Sequence, residues 1–529
     1  MKKELKFSSD ARTQMTKGVK ALYDATRFTF GPRGRNVIIE QEFGTPLIVN
    51  DGVTIAKAIK LSNAFENLGS GVVIEAASKT NDVVGDGTTT AIILASKMIF
   101  EGIKQIEAGI NPVIIQKGLS RLLPHLLMQI DEASMPVESL DDLAKVASIS
   151  SNSMEIGEII KEAYLEVGTD GSITVEESPG ITTFLDVVKG YTFDRGFLSP
   201  YMANQQDKQV AVLEKPLIYL TDKKIITMNE LVSSLEVAIK AARPILIICD
   251  DIEPEVLSAL IVNKLRGIFQ VVVTKAPGFG ERKTKLLEDL AIITGASFID
   301  TSLGISPNNE SPTLGSALKV IVNKDQTIII DGEGSSEAIN NRINRLKNEL
   351  KDQTSEYEKD RLSERIAKIT SGVAIIKVGA PTETELKEKK LRIEDALHAT
   401  KAANASGIIE GGGKIYYQMS LKLPSFVKQK DDEPASEILQ TALQAPFFQI
   451  VENAGADIQE VLKNVNESLW YDANRNEFAS MLTNGIIDPS SVAKSALINA
   501  VSVASMFLTT ECAIINLEQK KIDIEDPLS

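Results

Sequence analysis

The sequence predicts an α/β multidomain fold, and three observations lead there. Helical spacing dominates both ends of the chain. Apolar strands alternating with helical patterning fill residues 189–330. Residues 132–188 carry shorter mixed elements. A length of 529 residues allows roughly two to four domains.

From the N-terminus, residues 11–28 have helical spacing, with Met15, Val19, Leu22 and Ala25 on one face. The turn Thr29-Phe30-Gly31-Pro32-Arg33-Gly34-Arg35-Asn36 follows. Its N–H groups suit an anion nest, and a tight turn with basic flanks is the plainer reading. Val37-Ile38-Ile39-Glu40 and Leu47-Ile48-Val49 read as a hairpin around Phe43-Gly44-Thr45-Pro46. In the turn Asn50-Asp51-Gly52, Asp51 is either a metal or water ligand or a turn aspartate. A long helix over 65–84 leads to Gly85-Asp86-Gly87-Thr88-Thr89-Thr90-Ala91, and 88–131 reads as two helices split by Gly109-Ile110-Asn111-Pro112.

Ser172-Ile173-Thr174-Val175 is a strand, as are Leu217-Ile218-Tyr219-Leu220, Ile245-Leu246-Ile247-Ile248 and Val271-Val272-Val273. Val320-Ile321-Val322 and Ile328-Ile329-Ile330 read as a hairpin. Ile339, Ile343, Leu346 and Leu350, then Leu362, Ile366 and Ile369, predict a charged antiparallel helical hairpin on a narrow apolar seam. Another helix covers 384–404, Gly411-Gly412-Gly413 interrupts, and the remainder is mostly helical. The stretch from Ala496 to Leu517 is broken by Asn499, Ser502, Ser505, Thr509, Thr510 and Glu511. It reads as a buried helix and a strand rather than a membrane span.

A hydrophobic content of 43% and a charged content of 24% are those of a soluble globular chain. The net charge of −15 argues against a protein that coats nucleic acid or an anionic membrane. Two cysteines far apart, Cys249 and Cys512, and no apolar N-terminal signal segment point to a reducing cytoplasm. Two histidines make no His-rich metal cluster. His398 lies three residues after Asp395, but no nucleophile is spaced to join them.

The chemistry gathers at residues 85–91. Two glycines free the backbone for φ > 0 and close approach to a ligand. The aspartate between them is a hard oxygen donor suited to Mg²⁺. Three hydroxyls then open a helix whose unpaired N–H groups and positive dipole end favour phosphate. The alternative is a turn with a Thr N-cap, for which one Thr suffices. Gly278-Phe279-Gly280-Glu281-Arg282-Lys283-Thr284 and Gly411-Gly412-Gly413-Lys414 lack the spacing of a P-loop.

Taken in order, these motifs resemble the group I chaperonins, the GroEL type, over nearly the whole chain. Residues 29–37 and 85–91 carry the likeness. So do Phe193-Asp194-Arg195-Gly196-Phe197-Leu198-Ser199-Pro200-Tyr201, Lys275-Ala276-Pro277-Gly278-Phe279-Gly280, Arg392-Ile393-Glu394-Asp395-Ala396-Leu397-His398-Ala399-Thr400 and Thr509-Thr510-Glu511-Cys512. The resemblance implies a mostly helical equatorial ATP-binding domain (1–132 and 406–529), a small mixed intermediate domain (133–188 and 374–405) and an α/β apical domain (189–373). It implies ATP with Mg²⁺, and admits K⁺. Its partners would be non-native polypeptides, a GroES-type co-chaperonin and further copies of the chain in two stacked heptameric rings.

By the same resemblance Thr29, Phe30, Gly31 and Pro32 line the nucleotide. Asp86 binds Mg²⁺, and Gly87, Thr88, Thr89 and Thr90 hold the phosphates. Asp51 helps place metal and water. Gly412 and Asp488 meet the ribose, and Asp472 and Ala473 the adenine side. Asp395 swings in to orient or activate the attacking water. Phe197, Tyr201 and Met202 form one client-binding segment, Leu231, Val232 and Leu235 a second, and Leu257, Leu260, Ile261 and Val262 a third. Helical spacing alone assigns such residues to a core. The resemblance instead turns Tyr201, Val232, Leu235, Leu257, Ile261 and Val262 toward an exposed groove.

Several positions depart from the common family pattern. Asn50 stands where Lys is frequent, and Asp472 where Asn is usual. Glu410 and Lys414 flank the glycines where small or apolar residues are usual. The end Asp523-Ile524-Glu525-Asp526-Pro527-Leu528-Ser529 differs from a Gly-Gly-Met repeat tail. Two rival readings are an ATP-dependent small-molecule phosphotransferase and a chaperonin-shaped holdase without a cycle.

Overall fold

The computed structural model describes residues 3–41, 46–169, 171–206, 208–298, 313–353, 355–370 and 372–516. The hairpin turn at 43–45 and the chain end at 523–529 lie outside them. The chain divides into two compact units. Residues 1–162, 175–184 and 377–529 form the first, and residues 163–174 and 185–376 the second.

The first unit is a helical core built from both ends of the chain. Helices Ser8–Thr26, Ala64–Val84, Thr88–Glu107 and Pro112–Ala133 pack with Glu433–Asn453 and Ser490–Leu508. The stripe Met15, Val19 and Leu22 joins Ile92, Leu94, Met98, Leu439, Leu497 and Phe507 in one buried cluster. Ala25 is half-buried. Helices Ser8–Thr26 and Ala64–Val84 cross where each carries a glycine. A Cβ on Gly18 would sit 1.7 Å from the Glu66 carbonyl oxygen, and one on Gly69 1.9 Å from that of Met15. Ser490–Leu508 has the length and hydropathy of a membrane span, yet Leu497, Ala500, Ala504, Phe507 and Leu508 are fully or almost fully buried in this core. Strand Cys512–Asn516 follows and pairs antiparallel with Lys3–Phe7.

Two stretches differ from the sequence reading. Residues 140–167 form two helices, Leu140–Ser151 and Met154–Val167, rather than short mixed elements. Within the stretch expected to be mostly helical, Trp470–Asp472 pairs antiparallel with Glu477–Ala479. The cause is local: the Asp472 carboxylate accepts from the N–H groups of Asn474 (2.9 Å) and Arg475 (3.2 Å), closing an Asx-type turn.

The second unit holds most of a mixed sheet of nine strands among the described residues. Leu217–Leu220, Ile245–Cys249 and Val271–Lys275 run parallel. The helices Asn229–Ala241 and Pro254–Leu265 lie between them in sequence, as βαβ crossovers require. Ile245–Cys249 is buried along its whole length, so an uninterrupted apolar run is the residue pattern it needs. Gly315–Val322 and Thr327–Gly332 continue the sheet as an antiparallel hairpin.

The helical hairpin is Ser336–Asp352 followed by Glu356–Thr370. Of its predicted seam only Leu346 and Leu362 are buried; Ile339, Ile343, Leu350, Ile366 and Ile369 are half-buried. The rest of the inner face is ionic. Asp289, fully buried on helix Gly280–Thr294, accepts from Arg342 Nε at 2.8 Å and from Arg365 Nε at 2.8 Å, while Arg342 also reaches Glu288 at 2.7 Å. A buried charge persists only when paired and hydrogen-bonded. Asp289→Ala should therefore leave Arg365 without its carboxylate and Arg342 with Glu288 alone, and destabilise the hairpin by about 3–5 kcal/mol. Hydrogen exchange over residues 336–370 measures this; unchanged protection would show that the cluster does not hold the hairpin.

Candidate functional site

A cavity of about 690 Å³ opens within the first unit. Thr29, Phe30, Gly31, Pro32, Asp51, Asp86, Gly87, Thr88, Thr89 and Thr90 line it from the N-terminal segment. Asp395, Gly412, Asp472, Ala473 and Asp488 line it from the C-terminal segment. The structure thus brings together all the nucleotide-side and catalytic residues expected from the sequence.

One end of the cavity is set by two glycines in the left-handed region. Gly85 (φ 69°) ends helix Ala64–Val84, and Gly87 (φ 80°) is the N-cap of Thr88–Glu107. A Cβ on Gly87 would lie 2.6 Å from Val492 Cγ1. The three threonines occupy the first turn inside the helix, so the Thr N-cap alternative does not hold. The N-cap residue has no side chain to offer, and the first-turn N–H groups and hydroxyls lie at the cavity wall. Asp51 caps the short helix Gly52–Ala58: its carboxylate accepts from Val53 N (3.2 Å), Thr54 N (2.9 Å) and Thr54 Oγ1 (2.6 Å). Thr88 Oγ1 lies 3.4 Å from the same carboxylate.

At the other end, Asn453 fixes the Thr29–Pro32 turn by donating to the carbonyls of Arg27 (2.9 Å) and Phe30 (2.8 Å). The Thr29 hydroxyl itself donates to Thr26 O at 2.8 Å. Asp488 sits on strand Ile487–Pro489, paired with Ile408–Glu410. Gly411 lets that carboxylate approach, since a Cβ there would lie 3.1 Å from Asp488 Oδ2.

Electrostatics make the cavity a cation-seeking one. Burial pushes the Asp395 carboxyl well above the usual range, and the charges of Asp51, Asp86 and Glu394 push it further. Burial likewise raises Asp86, against the Gly87 N–H and Ser150 hydroxyl that stabilise its anion, with Asp51 adding to the rise. Asp488 is pushed up to about 7, by burial first and the charge of Asp86 second. Among the described residues no three His, Cys, Asp or Glu side chains gather closely enough to hold a metal alone. This donor set still fits Mg²⁺, which is typically held by one or two carboxylates with phosphate oxygens and water.

The departures resolve differently. Asn50 lines the cavity. Asp472 offers its carboxylate to its own turn. Glu410 and Lys414 pair with each other at 2.7 Å. Sequence reasoning missed Ser150 and Asn152. Ser150 Oγ donates to Asp86 at 3.1 Å, and Asn152 Nδ2 to Pro32 O at 3.3 Å. A capping signal was present in the sequence: Ser139 accepts from Asp142 N and starts the helix that carries Ser150.

The apolar surface belongs to the second unit. Tyr201, Val232 and Val262 are exposed, at 63%, 41% and 44%. Phe197, Leu257 and Ile261 are half-buried against the core. Met202 and Leu235 correct the expectation of an exposed groove, because both are buried core residues, and Met202 Sδ accepts from Val273 N. Leu231 and Leu260 are core as well. Lys264, also missed, donates to the carbonyls of Tyr201 (3.0 Å), Met202 (2.7 Å) and Ala203 (3.0 Å), fixing the turn that presents Tyr201.

A model of the TCP-1/cpn60 chaperonin family matches residues 22–518. The chain belongs to that family, and the resemblance to chaperonins of the GroEL type stands. Among solved structures, the chaperonin gp146 from the bacteriophage EL 2 (Pseudomonas aeruginosa), crystallised in presence of ATP-BeFx, is similar in two crystal forms. Form II has a TM-score of 0.68 at 19% identity, covering 97% of this chain and 99% of that chain. Form I has a TM-score of 0.62 at 20% identity with the same coverage. At such identities the likeness is one of fold.

The raised Asp488 carboxyl has a consequence for stability. Between its ordinary value and about 7, the folded chain holds a proton that the unfolded chain has lost, so stability falls as pH rises through that window. In nucleotide-free protein, Asp488→Asn should lose that component of the fall, and its melting temperature should decline less than wild type from about pH 5 to about pH 8. Thermal denaturation at several pH values checks this; parallel curves would overturn it.

Proposed function

We propose that this member of the TCP-1/cpn60 chaperonin family is an ATP-dependent chaperonin. It captures non-native polypeptides on the apolar surface around Tyr201, Val232 and Val262, and promotes their folding in a ring cavity capped by a GroES-type co-chaperonin. The observation that carries the nucleotide reading is the convergence of residues 29–32, 86–90, Asp395, Gly412 and Asp488 on one cavity.

In this reading the first turn of Thr88–Glu107 cradles the phosphates, and Asp86 supplies the carboxylate for Mg²⁺. The ion, when bound, stabilises negative charge on the phosphate oxygens. Asp51, held rigid by its own helix cap, supports metal and water. Asp395 orients the attacking water and accepts its proton; a carboxylate with a raised pKa is the stronger base for that task. Little else is asked of the protein, since phosphoryl transfer is mostly positioning and charge stabilisation.

The proposal extends to three domains with the boundaries given above, two stacked heptameric rings, K⁺ as a further ion and a cytoplasmic location. The presence of Asp51, Asp86 and Asp395 together favours an active cycle over a passive holdase.

Hydrolysis is tested by Asp395→Ala. It should keep nucleotide binding and lower turnover by about 10²–10⁴-fold, the usual contribution of a general base. Asp86→Ala should abolish turnover with little rescue by added Mg²⁺. Wild-type rates in both would exclude these roles. Client capture is tested by Tyr201→Ser, Val232→Ser and Val262→Ser combined, chosen because all three are exposed. The variant should melt as wild type and hydrolyse ATP, yet fail to hold an unfolded protein in a light-scattering assay. Normal capture would place the client surface elsewhere.

A further inference from the structure

The two departures beside the glycine turn form one device. Lys414 opens helix Lys414–Lys422 directly after Gly411-Gly412-Gly413 and is 1% exposed. Its ammonium is shared between a nearby side-chain carboxylate and a sequence-distant backbone carbonyl. It pairs with Glu410 Oε2 at 2.7 Å, just before the glycine turn, and donates to Glu467 O at 2.7 Å, in the loop that leads into Trp470. Trp470 lies beside it, its ring centroid 6.0 Å from the ammonium, and its indole N–H donates to Gly412 O at 3.3 Å. Gly413 leaves no slack on the far side, because a Cβ there would sit 2.9 Å from Phe447 N.

The strand that begins at Trp470 carries Tyr471 and Asp472 and leads to Ala473, and these three line the cavity, as Gly412 does. Lys414 and Trp470 are not themselves part of that lining; they tie its two walls together. A buried ammonium with a carboxylate and a carbonyl as partners has strong charge-assisted bonds. Such bonds hold one distance between the Gly412 turn and the Tyr471–Ala473 edge.

We propose that Lys414, with Glu410 and Trp470, is a positioning residue that sets the width of the nucleoside half of the site and thereby the affinity for nucleotide. The inference rests on the nucleotide reading above. It acts on ground-state binding alone, because the acids that would serve hydrolysis, Asp51, Asp86 and Asp395, are held by other elements. Trp470, the only tryptophan of the chain, reports the state of the device.

The test uses full-length protein with ADP and ATP as probes. Lys414→Met removes the ammonium and keeps the bulk. Its Kd for ADP and its KM for ATP should rise about tenfold, the size of one lost charge-assisted hydrogen bond. Its kcat at saturating ATP should stay unchanged, the pattern of lost uniform binding. Acrylamide should quench Trp470 more readily than in wild type. Glu410→Ala, at a half-exposed position, should show the same KM rise and decides the matter if Lys414→Met does not fold. Variants that bind ADP with wild-type affinity, or lose kcat rather than KM, overturn the positioning role. Failure of wild type to bind either nucleotide takes down the underlying reading as well, and that arm is read first.

Discussion

The packing of helix Ser490–Leu508 onto Ala64–Val84 and Thr88–Glu107 is the contact on which the first unit depends. It is a close-approach interface. A Cβ on Gly102 would lie 2.4 Å from Leu508 Cδ1, and Val492 closes on Gly87. Asn499 donates to Thr80 Oγ1 at 2.9 Å between the apolar layers. These helices come from opposite ends of the chain, so neither end alone can bury its stripe. The cavity is a by-product of that join, with walls from residues 29–90, 141–158 and 392–493.

The same join concentrates acids. Asp51, Asp86, Asp395 and Asp488 line one partly desolvated space. Burial and mutual repulsion raise three of them, Asp86, Asp395 and Asp488. Like charges in low dielectric are costly, and a divalent cation is the chemically natural compensation. Rigid local chemistry keeps the acids in place meanwhile: a helix cap at Asp51, a glycine hinge on each side of Asp86 and a sheet pairing at Asp488. Stability and ligand affinity are therefore coupled through one set of side chains.

The second unit solves a different problem. Its parallel strands are buried on both faces, which leaves its crossover helices with one apolar face spent on the sheet and the outer face free. Leu231, Leu235 and Leu260 take the inner side, while Val232 and Val262 are left outside on the same two helices. Lys264 and the Asp289–Arg342–Arg365 cluster then pin the irregular parts with buried charge rather than apolar area.

Period and turn chemistry made most elements legible in the sequence. The helices at 8–26, 64–84 and 88–133, the parallel strands and the helical hairpin follow from spacing that any burial against a neighbour would select. The glycine-aspartate-glycine-threonine stretch announced a left-handed turn opening a helix, because φ > 0 and helix-start donors are local properties. What the sequence could not decide was which apolar residue on a helix faces inward, since Val232 and Leu235 lie only about 60° apart around the helix and only the docked sheet chooses between them. Nor could it show that Ser150 would meet Asp86, or that the unusual Glu410 and Lys414 would answer each other across a glycine turn. The same holds for Asp289, which finds two arginines more than fifty residues away. The Ser150 and Asp289 contacts are long-range pairings between groups that spacing alone leaves independent. Desolvation in the assembled fold makes such a pairing compulsory, because a buried charge without its partner would cost more than the fold can spare.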